Sequence, residues 1–321
     1  MQTVTLPIAD PEAEPRAEAL LAAGELVALP TETVYGLAGD SASGEAVAKI
    51  FAAKGRPRFN PLICHVDSLQ MARRVAVFDE TALGLAERFW PGPLTLVLPL
   101  AEGAPVHPLA TAGLSTVAVR QPKGVAARLA GRLDRPIVAP SANLSGRVTG
   151  TSAEAVARSL EGRIPLILDD GPSPVGVEST IVRPEAGRLV LLRAGAIARE
   201  TLKEALGVRI ETPEAGAAIA APGGLASHYA PQGAVRLDAM RVEPGDYVIA
   251  FGPDRPEGLE HAMAIINLSP SGDLAEAAAN LFAALSALDS PDVTQIAVTP
   301  IPMTGLGEAI NDRLRRAAAP R

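Results

Sequence analysis

The chain has one cysteine and one tryptophan, and aromatic residues make up only 3% of its 321 positions. A single cysteine, Cys64, excludes an internal disulfide and any zinc site built from cysteines alone. So few aromatics leave little from which to build the stacking platforms that grip single-stranded nucleic acid. No stretch approaches the ~20 apolar residues needed to span a bilayer. The start, Met1-Gln2-Thr3-Val4-Thr5-Leu6-Pro7, has neither the basic region nor the apolar core of a secretory signal. The expectation is a cytoplasmic protein with no membrane partner. Walker loops, Gly-x-Ser-x-Gly elbows and His-Glu-x-x-His helices are missing too. The net charge is -7, and residues 233–321 contain no lysine and set 7 basic against 12 acidic side chains. A long, sequence-independent grip on phosphates is not expected from that part.

What is present is a globular composition, 48% hydrophobic and 20% charged, at a length that suggests roughly two domains. The densest chemistry lies in residues 29–65. A short apolar strand at 25–29 leads into Pro30-Thr31-Glu32-Thr33-Val34-Tyr35-Gly36-Leu37. A helix follows at 43–54, with Val47, Ile50 and Phe51 on one face and Gly55 as its stop. Then comes Lys54-Gly55-Arg56-Pro57-Arg58-Phe59-Asn60-Pro61, and a second apolar strand at 62–66. In a strand, helix, strand unit the strand ends are natural ligand sites. Lys54, Arg56 and Arg58 would flank a pocket for a small anion, since guanidinium groups fork onto phosphate or carboxylate oxygens. Thr31 and Thr33 also suit turn backbone groups, and either Cys64 or His65 faces the core.

Further on, helices are expected at 11–23, 69–75, 81–89 and 198–206, and strands at 94–98, 115–120, 136–140, 164–168, 178–182 and 189–193. Alternation puts Thr116, Ala118 and Arg120 on one face, toward a cleft or toward solvent. The loop from Ser141 to Gly150 is rich in hydroxyls and glycine, as anion-cradling loops are. Thr151-Ser152-Ala153-Glu154 has capping-box spacing with Thr151 as the cap. Asp169-Asp170-Gly171 reads as a turn rather than a metal site. Ser179 and Arg193 stand at element ends. A linker rich in Ala, Gly and Pro spans 212–224 and closes on Ser227-His228-Tyr229-Ala230-Pro231. The strand and helix pattern then restarts, with strands at 235–237, 247–251, 264–268 and 296–299 and helices at 274–288 and 306–316.

Taken in order, Pro30 to Leu37, Lys54-Gly55-Arg56-Pro57, Asn60-Pro61-Leu62, Trp90-Pro91-Gly92-Pro93-Leu94-Thr95, Ser115 to Arg120, Pro140-Ser141-Ala142-Asn143, Glu178-Ser179-Thr180 and Arg193-Ala194-Gly195 resemble the L-threonylcarbamoyladenylate synthases, the YrdC-like family. His228-Tyr229-Ala230-Pro231 and the restarted pattern resemble its long members. The resemblance implies an α/β fold. A YrdC-like catalytic domain with a twisted mixed sheet would span 1–206, a linker 207–232, and a smaller Rossmann-like α/β domain 233–321.

It also implies an enzyme, a nucleotidyltransferase. L-threonine, bicarbonate and ATP would give L-threonylcarbamoyl-AMP and pyrophosphate, for t6A modification of tRNA by a downstream threonylcarbamoyl transferase complex, with no direct nucleic-acid binding required. Carried over, Thr33, His65, Arg120 and Ser179, with the backbone near Ala139, would hold threonine. Arg56, Asn60, Thr116, Ser141, Thr149 and Arg193 would hold ATP, with Lys54 and Arg56 offsetting charge in the transition state and Tyr229 closing from the linker. Mg2+ would come with ATP, held by phosphate oxygens and water rather than by protein ligands. The linker carries Pro222-Gly223-Gly224 where the family usually has Pro-Gly-Met. Two other readings stay open: an RNA-binding module, and a related carbamoyl-adenylating enzyme of the hydrogenase-maturation kind, whose zinc fingers one cysteine cannot build.

Overall fold

The computed structural model describes residues 2–57, 59–213 and 227–320. Arg58 and most of the linker, including Pro222-Gly223-Gly224, lie outside them. The first part runs β1 (Val4–Pro7), α1 (Ala13–Ala22), β2 (Val27–Leu29), β3 (Gly36–Asp40), α2 (Gly44–Lys54), β4 (Ile63–His65), α3 (Leu69–Val75), α4 (Glu80–Phe89) and β5 (Leu94–Pro99). It continues with β6 (Thr116–Arg120), α5 (Val125–Leu133), β7 (Ile137–Val138), α6 (Ala153–Leu160), β8 (Leu166–Asp169), β9 (Thr180–Glu185), β10 (Arg188–Arg193), α7 (Arg199–Leu206) and β11 (Arg209–Glu211). These eleven strands form one mixed sheet in the order β1-β8-β2-β3-β7-β4-β6-β5-β9-β10-β11. The last part has β12 (Ala234–Arg236), β13 (Tyr247–Ala250), β14 (Ala264–Asn267), α8 (Leu274–Ala287), β15 (Gln295–Val298) and α9 (Gly307–Ala318). Its sheet, β12-β15-β13-β14, is parallel throughout.

Two local expectations change. The 29–65 region is not a simple strand, helix, strand unit. β3 folds back antiparallel on β2, and β7 pairs with both β3 and β4. The sequence of β3, Gly-Leu-Ala-Gly-Asp, has no β-branched residue to announce a strand, yet all five residues are buried. The cap of α6 is Ser152, whose Oγ accepts from the Ala155 N–H at 3.2 Å, one residue later than the Thr151 expected.

Alternation along the central strands separates two environments. Cys64 and Val119 enter the main core, together with Leu29, Leu37 and Ile50. On the opposite face, Ile63, Ala118, Val97 and Ile181 form a small apolar cluster of their own. In register beside it, His65 is paired with Arg120 and Ile63 with Ala118. The polar site therefore stands on the face that the main core does not use.

The C-terminal unit is docked through a shared core. Val34, Val148 and Val177 from the first part pack with Tyr229, Phe282, Leu281 and Ile310. Gly176, at φ +75°, marks the closest approach: a side chain there would overlap the backbone of Ala278 and Ala279 in α8.

Candidate active site

The site forms where β4, β6 and β10 end and β9 begins, beside the 30–37 and 139–150 segments. Residues 35–37 and 140–150 are tied together by backbone bonds, Leu37 N–H to Pro140 O at 2.7 Å, Ala142 N–H to Tyr35 O at 2.8 Å and Tyr35 N–H to Gly150 O at 3.1 Å. Between them lies a polar hollow. Thr33, Arg56, His65, Arg120, Ala139, Ser141, Ser179, Arg193 and Tyr229 all line it, brought from well-separated parts of the chain.

Each cation is aimed by backbone. Arg120 donates to Gly92 O (3.1 Å) and Thr33 Oγ1 (3.0 Å), and its Nη2 lies 2.7 Å from Glu32 Oε1. Arg56 donates to the carbonyls of Asn60 (3.3 Å) and Pro61 (3.0 Å). Arg193 donates to Ser179 O through both Nε and Nη2, and to Ser179 Oγ at 3.0 Å. Gly195 lets this hairpin end close down, because a Cβ there would overlap the Glu178 and Ser179 backbone.

Burial lowers Arg56 and Arg193 to about 10; repulsion from Arg193 adds to it at Arg56, and repulsion from Arg313 and Arg120 adds to it at Arg193. Both remain charged at neutral pH, so the wall concentrates positive charge that an anion would relieve. His65 is lowered to about 3 by burial and then by Arg120, and His228 to about 3, chiefly by burial. Both are neutral imidazoles at physiological pH, and the Nδ1 of each has no protein partner among the described residues. Buried polar atoms without protein partners, facing a hollow, are where a ligand completes the hydrogen bonding.

Four expected residues lie elsewhere. Lys54 is buried behind the wall and donates to Ser141 O and Asn143 O, each at 2.5 Å. It holds the Ser141 loop in place rather than facing the hollow. Burial, then Arg56, pulls its ammonium well below the ordinary range. Asn60 is buried, and its carbonyl orients Arg56. Thr116 is half-buried at the start of β6, about 13 Å along the strand from Arg120 at ~3.3 Å per residue. Thr149 donates to Glu178 Oε1 at 3.5 Å and lines a second hollow with Arg147, Arg158 and Gln232.

Sequence reasoning passed over Glu178 and Arg313. Glu178 lines the main hollow, and its Oε2 accepts from Arg313 Nε of α9 at 2.9 Å. Burial pushes Glu178 up, but Arg313 and Arg193 outweigh it and bring it down to about 2. It is an anion under all ordinary conditions.

The linker segment closes the hollow. Tyr229 is fully buried at φ +64°, a strained backbone for a bulky residue. Its ring packs on Phe282 with centroids 5.3 Å apart and lies under the Arg313 guanidinium at 5.8 Å. Ala230 N–H donates to Gly146 O at 2.9 Å, and His228 N–H to Arg316 O at 3.2 Å. The segment is thus pinned to both domains.

Comparison with known proteins agrees with this organisation. Residues 19–195 match the Sua5, YciO and YrdC family, described as telomere recombination, and residues 197–319 match the threonylcarbamoyl-AMP synthase C-terminal domain. A threonylcarbamoyl-AMP synthase of Pyrococcus abyssi is 40% identical over 312 residues, covering 92% of this chain and 91% of that protein. One of Bacillus subtilis is 38% identical, covering 95% and 93%. The crystal structure of P. abyssi Sua5 complexed with L-threonine superposes with a TM-score of 0.87 at 36% identity, over 99% of this chain and 98% of that one.

Proposed function

The chain belongs to the threonylcarbamoyl-AMP synthase family, and from that premise we infer that its hollow joins L-threonine, bicarbonate (as CO2, with loss of water) and ATP into L-threonylcarbamoyl-AMP, releasing pyrophosphate. The observation that carries this reading is the convergence of Arg56, Arg120 and Arg193 with Ser141, Ser179 and neutral His65 on one hollow. Arg120, with Thr33, His65, Ser179 and the backbone of Ala139, takes the amino acid. Arg56, Ser141 and Arg193 take the phosphates. Asn60 supports Arg56 from behind, Lys54 supports Ser141, and Thr149 and Thr116 serve the more distant parts of the nucleotide.

The chemistry asks for alignment more than for a protein nucleophile. The amine of threonine adds CO2 to give a carbamate, and a carbamate oxygen attacks the α-phosphorus in line as pyrophosphate leaves. Guanidinium groups fixed by backbone carbonyls stabilise the charge that develops on phosphate without having to reorganise. Mg2+ enters as part of the ATP substrate. Glu178 is the one carboxylate among the lining residues and is committed to Arg313, so phosphate oxygens and water supply the metal's ligands. The product, an activated carbamoyl donor, passes to a tRNA threonylcarbamoyl transferase in the cytoplasm.

The test is to incubate the protein with threonine, bicarbonate and α-labelled ATP. A labelled adenylate that requires all three supports the reading, and turnover that ignores threonine or bicarbonate rejects it. An RNA-binding module would instead bind RNA with a steep salt dependence and consume no ATP. Tyr229→Ala opens the lid, and it is expected to leave adenylate formation within about tenfold of native while releasing the labile product faster. Equal product retention in the variant and the native protein would remove Tyr229 from that role.

A further inference from the structure

Thr95, in β5, is fully buried, and its Oγ1 lies 2.7 Å from Ser179 Oγ. Among the described residues this is the sole hydrogen-bond partner of the Thr95 hydroxyl. Ser179 Oγ also accepts from Arg193 Nη2, a group that only donates. Two proton arrangements satisfy the distances. If Ser179 donates to Thr95, the Thr95 proton is left buried without an acceptor, which is costly. If Thr95 donates, Ser179 Oγ accepts twice, its lone pairs are used, and its own proton is turned toward the hollow that Ser179 lines.

We propose that Thr95 is a positioning residue that makes Ser179 a dedicated hydrogen-bond donor to an anionic oxygen of the amino-acid substrate. The inference rests on the reading above that Ser179 meets that substrate. Valine at position 95 keeps the shape and removes the donor. Ser179 Oγ then keeps only the Arg193 donor, one of the two bonds that fix its rotamer is gone, and its proton is no longer held toward the substrate.

The experiment compares Thr95→Val, Thr95→Ala, Thr95→Ser, Ser179→Ala and Thr95→Val/Ser179→Ala in the full chain, with thermal midpoints as the check on folding. KM for threonine at saturating ATP, and KM for ATP at saturating threonine, are read from pyrophosphate release. The expected result is a rise of about tenfold in the threonine KM for Thr95→Val and Thr95→Ala, with the ATP KM within about twofold of native. Thr95→Ser should restore the native value, and the double variant should be no worse than Ser179→Ala. A native threonine KM in Thr95→Val and Thr95→Ala while Ser179→Ala is impaired overturns the proposal, as do effects that multiply in the double variant. A native threonine KM in Ser179→Ala is a different failure, because it removes Ser179 from the amino-acid site and takes the functional assignment of that residue with it.

Discussion

Arg120→Ala is expected to lower kcat/KM for threonine by about a hundredfold or more, which is the upper range for a hydrogen bond to a charged group. ATP binding, followed by equilibrium dialysis, should stay within about threefold. The asymmetry follows from how the guanidinium is held. Three contacts, to Gly92 O, Thr33 Oγ1 and Glu32, fix its plane against β6. Alanine removes the clamp and also strands Glu32, whose side chain is about nine-tenths buried. Breaking such a pair costs ~3–5 kcal/mol, so a loss of fold could imitate a loss of binding. Arg120→Ala/Glu32→Gln separates the two. Without the stranded carboxylate, the double variant should regain stability but not threonine turnover. Arg120→Lys should also fail to rescue, since a point charge cannot reproduce the fork. A threonine kcat/KM within tenfold of native in Arg120→Ala would show that the carboxylate binds elsewhere.

Much of the site was legible because its residues sit in turns with strong local signatures, around Pro30, Asn60, Pro91 and Pro140. These place side chains at strand ends whatever the rest of the fold does. The inward placement of Lys54 carries its own signal in the sequence. Val47, Ile50, Phe51 and Lys54 follow the spacing of one helical face, and that face is buried, so Lys54 turns inward with it. The strand β3 escaped notice because glycine and alanine carry no strand preference, and only burial between β2 and β7 makes it one. Thr95 was visible only as the end of a proline-rich motif. Its importance depends on a partner 84 positions away, and no local pattern reports that. Arg313 was hidden by company. With Arg315 and Arg316 it reads as an exposed basic helix end, and only the docking of α9 against Glu178 buries it.

That docking carries the second large expected effect. Arg313 is fully buried. It donates to Glu178 Oε2 at 2.9 Å and to Ala194 O at 2.5 Å, and Asp312 lies 3.1 Å away. Arg313→Met keeps the volume and removes the charge, leaving Glu178 in a low-dielectric wall. The pair is buried on both sides, so the loss should be ~3–5 kcal/mol of unfolding free energy, read as a lower urea midpoint at pH 7.5. The pH dependence has a defined sign. Glu178 is depressed in the folded protein to about 2 from 4.5, so its contribution is fully present above pH 4.5 and is lost as pH falls toward 2. In Arg313→Met burial is no longer opposed by its largest counterweight, so the carboxyl rises and that acid-labile contribution shrinks. Arg313→Met/Glu178→Gln should recover much of the stability at pH 7.5, because the uncompensated charge, not the missing arginine, dominates the penalty. An Arg313→Met protein as stable as native would mean that the apolar contacts of Val34, Val148 and Val177 with α8 and α9 hold the two domains together without help from the ion pair, and one that Glu178→Gln fails to rescue would place the penalty in the arginine's own lost contacts, to Ala194 O and Asp312.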